Sequence, residues 1–223
     1  MNKRMILPLI FGLVGAAILV SLGTWQLRRL DWKETVLAEI DARITAAPVA
    51  LPAQPDPEQD RFLPVTATGT LLPGIQVLSS VKKVGAGFRV IDVLDSDGRR
   101  VLVDRGFLKV QDDPGPRPDG PVTIIGNLHW PDEVDKYTPA PDIEKGDWFA
   151  RDLPVMADHL GAEPVLIVAR DITPASPAIR PLPVDSSGIP NDHLQYAITW
   201  FSLACVWLGM TALFLWRIRR GTE

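Results

Sequence analysis

MILPLIFGLVGAAILVSLGTWQL, residues 5–27, holds no Asp, Glu, Lys or Arg in 23 positions. At 1.5 Å per residue such a run makes a helix of about 34 Å, enough to cross a hydrocarbon core of about 30 Å. LQYAITWFSLACVWLGMTALFLW, residues 194–216, repeats the pattern near the other end, again uncharged over 23 positions. Two such runs predict two membrane-spanning helices. Two long buried helices of a soluble domain are the alternative. The terminal positions, and lengths beyond roughly 18 residues, favour spans. Bulk composition hides this division. The 223 residues are 46% apolar, with 23 Lys plus Arg against 27 Asp plus Glu and a mean hydropathy of +0.10. Every charge falls outside the two runs, and there the charged fraction rises to about 28%, close to the roughly 25% of soluble domains. A net charge of −4 argues against a general nucleic-acid binder. A single Cys excludes an intramolecular disulfide framework and a Cys-cluster metal site.

The flanks set the expected topology. Lys3 and Arg4 precede the first run, and Arg217, Arg219 and Arg220 follow the second. The positive-inside rule then puts residues 1–4 and the basic tail 217–223 in the cytoplasm. The segment between the spans carries 18 basic and 26 acidic residues and is expected outside, which in a bacterium is the periplasm. The expected location is thus a bacterial cytoplasmic (inner) membrane, crossed twice. A cleaved signal peptide is the competing reading of residues 5–27. Its apolar part is longer than an ordinary h-region, and no convincing small-x-small site separates it from Arg28.

Between the spans the grammar changes twice. Residues 28–47 keep a helical period through Trp32, Val36, Leu37, Ile40 and Ile44, with no breaker between Gly23 and Pro48. One long helix is therefore expected to continue outward to about Ala46. Pro48, Pro52, Pro55 and Pro57 then make residues 48–60 an extended linker. In residues 61–173 come RFLPVTATGTLL, IQVLSSVKKV, GFRVIDVLDSDG, RRVLVDRGFLKV, PVTIIGNLHW and VLIVARDI, short β-branched runs divided by Gly and Pro. Ser96-Asp97-Gly98 reads as a hairpin tip. Gly85-Ala86-Gly87 reads as a turn. A short helix is predicted over Leu153 to Leu160, stopped by Gly161. Residues 174–192 form a Pro-rich return segment, and the second span is set at 193–216. The fold class expected is a membrane protein, with two terminal transmembrane helices flanking a β-rich α+β external domain, a small antiparallel barrel or curled sheet.

Catalytic motifs are scarce. G-x-S-x-G, H-E-x-x-H, the P-loop and G-x-G-x-x-G are all missing from the sequence, so no enzyme activity is expected. His129 and His159 read as surface or packing residues, Cys205 as a small hydrophobe in mid-span, and Asp112-Asp113 and Asp132-Glu133 as solvated loop acids. His193 differs, because it stands at the threshold of the second span. Asp192 three residues before Gln195 resembles a capping box that starts a helix there. Tyr196, Ala197, Trp200, Ala204 and Trp207 then share a face with His193. An imidazole above an aromatic and small-residue groove suits an apolar planar ligand such as haem. It equally suits an interfacial His beside an aromatic belt. At the end of the first span, Trp25, Arg28, Arg29 and Trp32 share a face. That Arg pair would meet a lipid headgroup, Asp192 or a ligand's carboxylates. Gly12 and Ala16, and separately Gly15 and Gly23, offer small surfaces for close helix packing.

GTWQLRRLDWKETVLAEI after the first span and NDHLQYAITWFSLA opening the second resemble the signatures of the surfeit locus protein 1 family, as does the two-span layout with a VDRGFLKV strand and a Trp148 segment before a short helix. Asp104 departs from the pattern, where that family usually has Asn. The resemblance implies an assembly factor for a haem-copper (cytochrome c) oxidase rather than an enzyme. It would bind haem a as cargo and assist its insertion into the catalytic subunit. The catalytic subunit is then the expected partner, with the haem a synthesis enzyme and the lipid bilayer beside it, and no nucleic acid. The family's motif histidine falls on His193, implied as the haem-iron ligand. Within the matching motifs, Trp25, Trp32, Tyr196 and Trp200 are assigned as ring contacts and Arg28 as a propionate partner. The alternative is a scaffold that stabilises an oxidase subunit without binding haem.

Overall fold

The computed structural model describes residues 3–220. Residues 1–2 and 221–223 of the expected cytoplasmic ends lie outside the described residues, as do the side chains of Lys3 and Arg4. In chain order the elements are α1 (Lys3–Thr45), β1 (Val49–Ala50), β2 (Pro64–Val81), β3 (Gly85–Ser96), β4 (Arg99–Lys109), β5 (Pro121–His129), α2 (Leu153–Leu160), β6 (Glu163–Thr173) and α3 (His193–Arg220). The chain divides into two compact units, Met1–Glu39 with Ser186–Glu223, and Ile40–Asp185.

The first unit is a pair of helices. Both α1 and α3 are long and apolar enough to cross a membrane, with mean hydropathies of 2.6 and 1.8 over their most apolar stretches. Only 11% and 6% of those stretches are buried. Core helices of a soluble domain are mostly covered, and these are not. Where the helices meet, they do so through the small residues singled out in the sequence. Gly12, Ala16 and Gly23 are buried on α1, as are Ala197 and Ala204 on α3. A Cβ placed on Gly15 would come within 2.5 Å of the Trp207 ring, and one on Gly23 within 2.8 Å of Phe201. The Trp207 indole N–H donates to the Gly12 carbonyl at 3.0 Å. Backbone approach of this kind is what small residues on a helix face permit. As the unbroken period predicts, α1 runs on past the apolar stretch, ending at Thr45 ahead of Pro48.

The second unit is built on one sheet in the order β1-β2-β3-β4-β6-β5, and a further β2–β5 pairing closes it into a barrel. The long strand β2 makes closure possible. Its first part, Pro64–Thr70, pairs with β5, and the remainder, from Thr70 to Val81, pairs with β3. The barrel is mixed rather than antiparallel as expected, because β4–β6 and β1–β2 are parallel. A parallel pair needs a long crossover, and residues 110–162, which include β5 and α2, supply it. Two expected strands also merge. Pro73-Gly74 does not end a strand but lies where the β2–β3 register shifts between Leu72 and Ile75. Proline lacks the ladder N–H, and a bulge is where that lack is tolerated. Gly74 packs so closely on the β3 backbone that a Cβ there would collide with Ile91. The predicted Gly85–Gly87 turn is likewise displaced: the turn is formed by the preceding residues 82–84, and Gly85 opens β3.

Alternation along the strands divides the core in two. Val101, Val103, Val165 and Ile167 point into the barrel with residues from all five of its strands. Their neighbours Leu102, Leu166 and Val168 point outward, where Leu153, Met156 and Ala157 of α2 and the buried Trp148 cover them. The bounds of α2 match the sequence expectation. Asp152 caps its start, accepting from the Val155 N–H, and Gly161 ends it in the left-handed conformation at φ 61°. The β3–β4 connection is the two-residue turn Asp97-Gly98, with φ 55° and 87°, as the hairpin reading anticipates.

Candidate functional site

His193 is the first residue of α3, and the Asp192 carbonyl accepts from the Tyr196 N–H in the opening bond of the helix. The imidazole is part-buried. Its Nδ1 lies 2.8 Å from Gln26 Oε1 on α1. An amide oxygen only accepts, so a hydrogen bond at this contact requires the proton on Nδ1, the tautomer that keeps the lone pair on Nε2. Ring nitrogens in metal-binding histidines are commonly arranged in this way. An imidazole engaged at Nδ1 by an amide would be suited to hold a haem iron through Nε2.

The other expected site residues divide between two faces. Ala197 and Ala204 are buried, and Trp200 and Trp207 are half-covered. At Trp207 this stripe packs on Gly12 and Gly15 of α1, so the first helix takes up part of the groove expected to cover a planar ring. The small residues of α1 require a partner there, and α3 provides it. Tyr196 stands off this stripe and is 55% exposed. On α1, Trp25, Arg28 and Trp32 are all exposed. The Arg29 guanidinium lies over the Trp32 ring at 4.3 Å from its centroid. His193 is therefore brought to Gln26, whereas Trp25, Arg28 and Trp32 form a separate exposed stripe. Sequence reading missed Gln26. The available signal was its position on the face that carries Gly12, Gly15, Ala16, Leu19 and Gly23, a polar side chain at the end of a small-residue stripe.

Within the barrel unit, the remaining polar groups are largely paired with one another. The fully buried Asp104 accepts from Arg89 at 2.6 Å, from Arg151 at 3.0 Å and from the Gly106 N–H at 3.0 Å. The buried Asp92 accepts from Arg105 at 2.6 Å and Arg117 at 2.9 Å. Glu133, expected as a solvated loop acid, is instead clamped by Arg151 through its side chain and backbone N–H. Burial raises the Glu133 pKa, but the hydrogen bonds and charge of Arg151 outweigh this and leave it lowered. Burial pulls the Arg151 pKa down, and Glu133 with Asp104 reverses this to a net rise. Held this way, Glu133 is an ionised partner of arginine, unsuited to exchanging protons. His129 stacks on Phe62 at 5.8 Å, and His159 packs against Trp148 at 5.5 Å, both as packing residues. Burial, then the nearby charges of Arg151 and Arg61, push His129 down to about 4.

Comparison with known proteins adds an independent line. A model of the SURF1 family matches residues 13–205. Surfeit locus protein 1 of Homo sapiens is 30% identical over 91% of this chain and 74% of its own length. A SURF1-like protein of Monosiga brevicollis is 32% identical over 85% of this chain and 80% of its own. A SURF1-like protein of the bacterium Rickettsia felis is 30% identical over 86% and 89%.

Proposed function

Because the chain belongs to the SURF1 family, a family of cytochrome oxidase assembly factors, we propose that it binds haem a as cargo and assists its insertion into the catalytic subunit of a haem-copper oxidase. The observation that carries this reading is the His193–Gln26 contact at 2.8 Å, which leaves Nε2 available to iron. Tyr196, Trp25 and Trp32 are exposed aromatics near the ends of the apolar runs, suited to contact a ring. Arg28 is exposed and suited to a propionate. Trp200 is half-covered in the helix pair and would contact only the edge of a ligand. The protein works as a two-pass protein of a bacterial cytoplasmic membrane, with both termini cytoplasmic and the barrel unit periplasmic. The oxidase catalytic subunit is its partner, and the haem a synthesis enzyme is the natural donor.

Haem titration of the detergent-solubilised full chain, followed by absorption spectroscopy, tests this. The unaltered protein is expected to take up haem with a Soret shift, and His193→Ala to weaken uptake at least tenfold. Undiminished haem content in that variant would remove His193 as the ligand. A second reading, a scaffold that holds an oxidase subunit without haem, is favoured by one observation. The stripe expected to cover a ring is in part taken up by α1, which packs against Trp207. Co-purification with the catalytic subunit, unaffected by His193→Ala and without a Soret band, would select it.

A further inference from the structure

We propose that Gln26 is the positioning residue of His193. Its amide oxygen fixes the Nδ1-protonated tautomer and sets how strongly Nε2 donates to iron. The second part rests on the haem reading given above; the tautomer part does not. The contact is of ordinary hydrogen-bond length, 2.8 Å. It also lies on a continuous helix pairing. Gly12 approaches Thr211, Gly15 approaches Trp207 and Gly23 approaches Phe201, so residues rising along α1 meet residues falling along α3. Gln26 and His193 are the next polar pair on that seam. The register that packs glycines against large side chains therefore aligns the amide with the imidazole. Both side chains are partly covered, which protects the bond from competition by water.

The chemistry of the partner gives the proposal its direction. A carboxylate accepting from Nδ1–H makes the ring a stronger donor and favours ferric iron. An amide does so less, and an alkyl side chain not at all. Two measurements on the full chain in detergent at pH 8 test this. Nitrogen-15 NMR of the histidine-labelled, haem-free protein should show His193 protonated at Nδ1. Gln26→Leu should lose that preference, and Gln26→Glu, which keeps an acceptor, should retain it. With haem bound, the midpoint potential should fall in Gln26→Glu and rise in Gln26→Leu. A wild-type His193 protonated at Nε2 would overturn the proposal, as would Gln26→Leu with tautomer and potential unchanged. If Gln26→Leu fails to fold, the near-isosteric Gln26→Glu decides alone, and an unshifted potential in it counts against the proposal. Failure of the wild type to take up haem would sink the haem reading, while the NMR result would still decide the role of Gln26.

Discussion

Asp104 shows how far one side chain can be read in advance. Its place in Val103-Asp104-Arg105-Gly106 was visible as a departure from Asn, but its partners were not. Arg89 is 15 residues away along the chain and Arg151 is 47 away. Only strand register and the long β5–β6 connection bring them together. Removing one member of a buried charge pair leaves the other uncompensated, at a cost of about 3–5 kcal/mol. Asp104→Asn is therefore expected to destabilise this protein by about 3 kcal/mol, the low end, because Glu133 still pairs with Arg151. Thermal unfolding of the solubilised chain checks it; a melting temperature within a degree of wild type would refute the buried-pair argument. His193 was legible because a polar residue at the mouth of an apolar helix stands out. Gln26 was not, because its meaning depends on which face α1 turns toward α3.

The elements divide along the same line. Helices announce themselves through local spacing, so α2 was found to the residue and the extension of α1 to within about one. The strands were found as apolar runs, but their joins were misjudged. Pro73-Gly74 carries the local signature of a turn, and only the pairing partners on β3 and β5 reveal a strand passing through it. Parallel pairing of β4 with β6 is likewise set by the crossover rather than by either strand's own sequence. In the helix pair the glycines are the sensitive points. Gly15→Leu would place a branched side chain where the Trp207 ring lies. It is expected to pry the helices apart, lowering thermal stability and shifting Trp207 fluorescence to a wetter environment. Gly209→Leu, where an added Cβ meets no neighbouring atom within 4 Å, should do neither. Equal effects of the two would mean that close packing at Gly15 is unimportant.

For the molecule as a whole, acid is the condition that exposes its design. His129 is pushed down to about 4 by burial and by the arginines around it, against an ordinary value of 6.5. Between those values the unfolded chain binds a proton that the folded chain refuses, so stability falls as pH drops from about 6.5 to about 4. With one unit equivalent to about 1.4 kcal/mol, and allowing for partial exposure, the loss is about 2 kcal/mol. His129→Phe should flatten this acid limb in a melting-temperature profile while leaving the profile above pH 7 parallel to wild type. An unchanged slope would assign the acid sensitivity elsewhere.

Closure of the barrel by β2 and β5, with β6 bridging β4 to β5, also dictates an order of manufacture. A chain made from its N-terminus presents β2, β3 and β4 early, yet the ring cannot shut until Thr173 has been delivered. By then only 19 residues remain before His193. Until that moment β4 and β5 keep unpaired edges, templates for pairing with the wrong strand. Any message that stops before β6 therefore yields an open, adhesive sheet rather than a smaller working domain. The last strand acts as the clasp, and quality control of this protein has to wait for it.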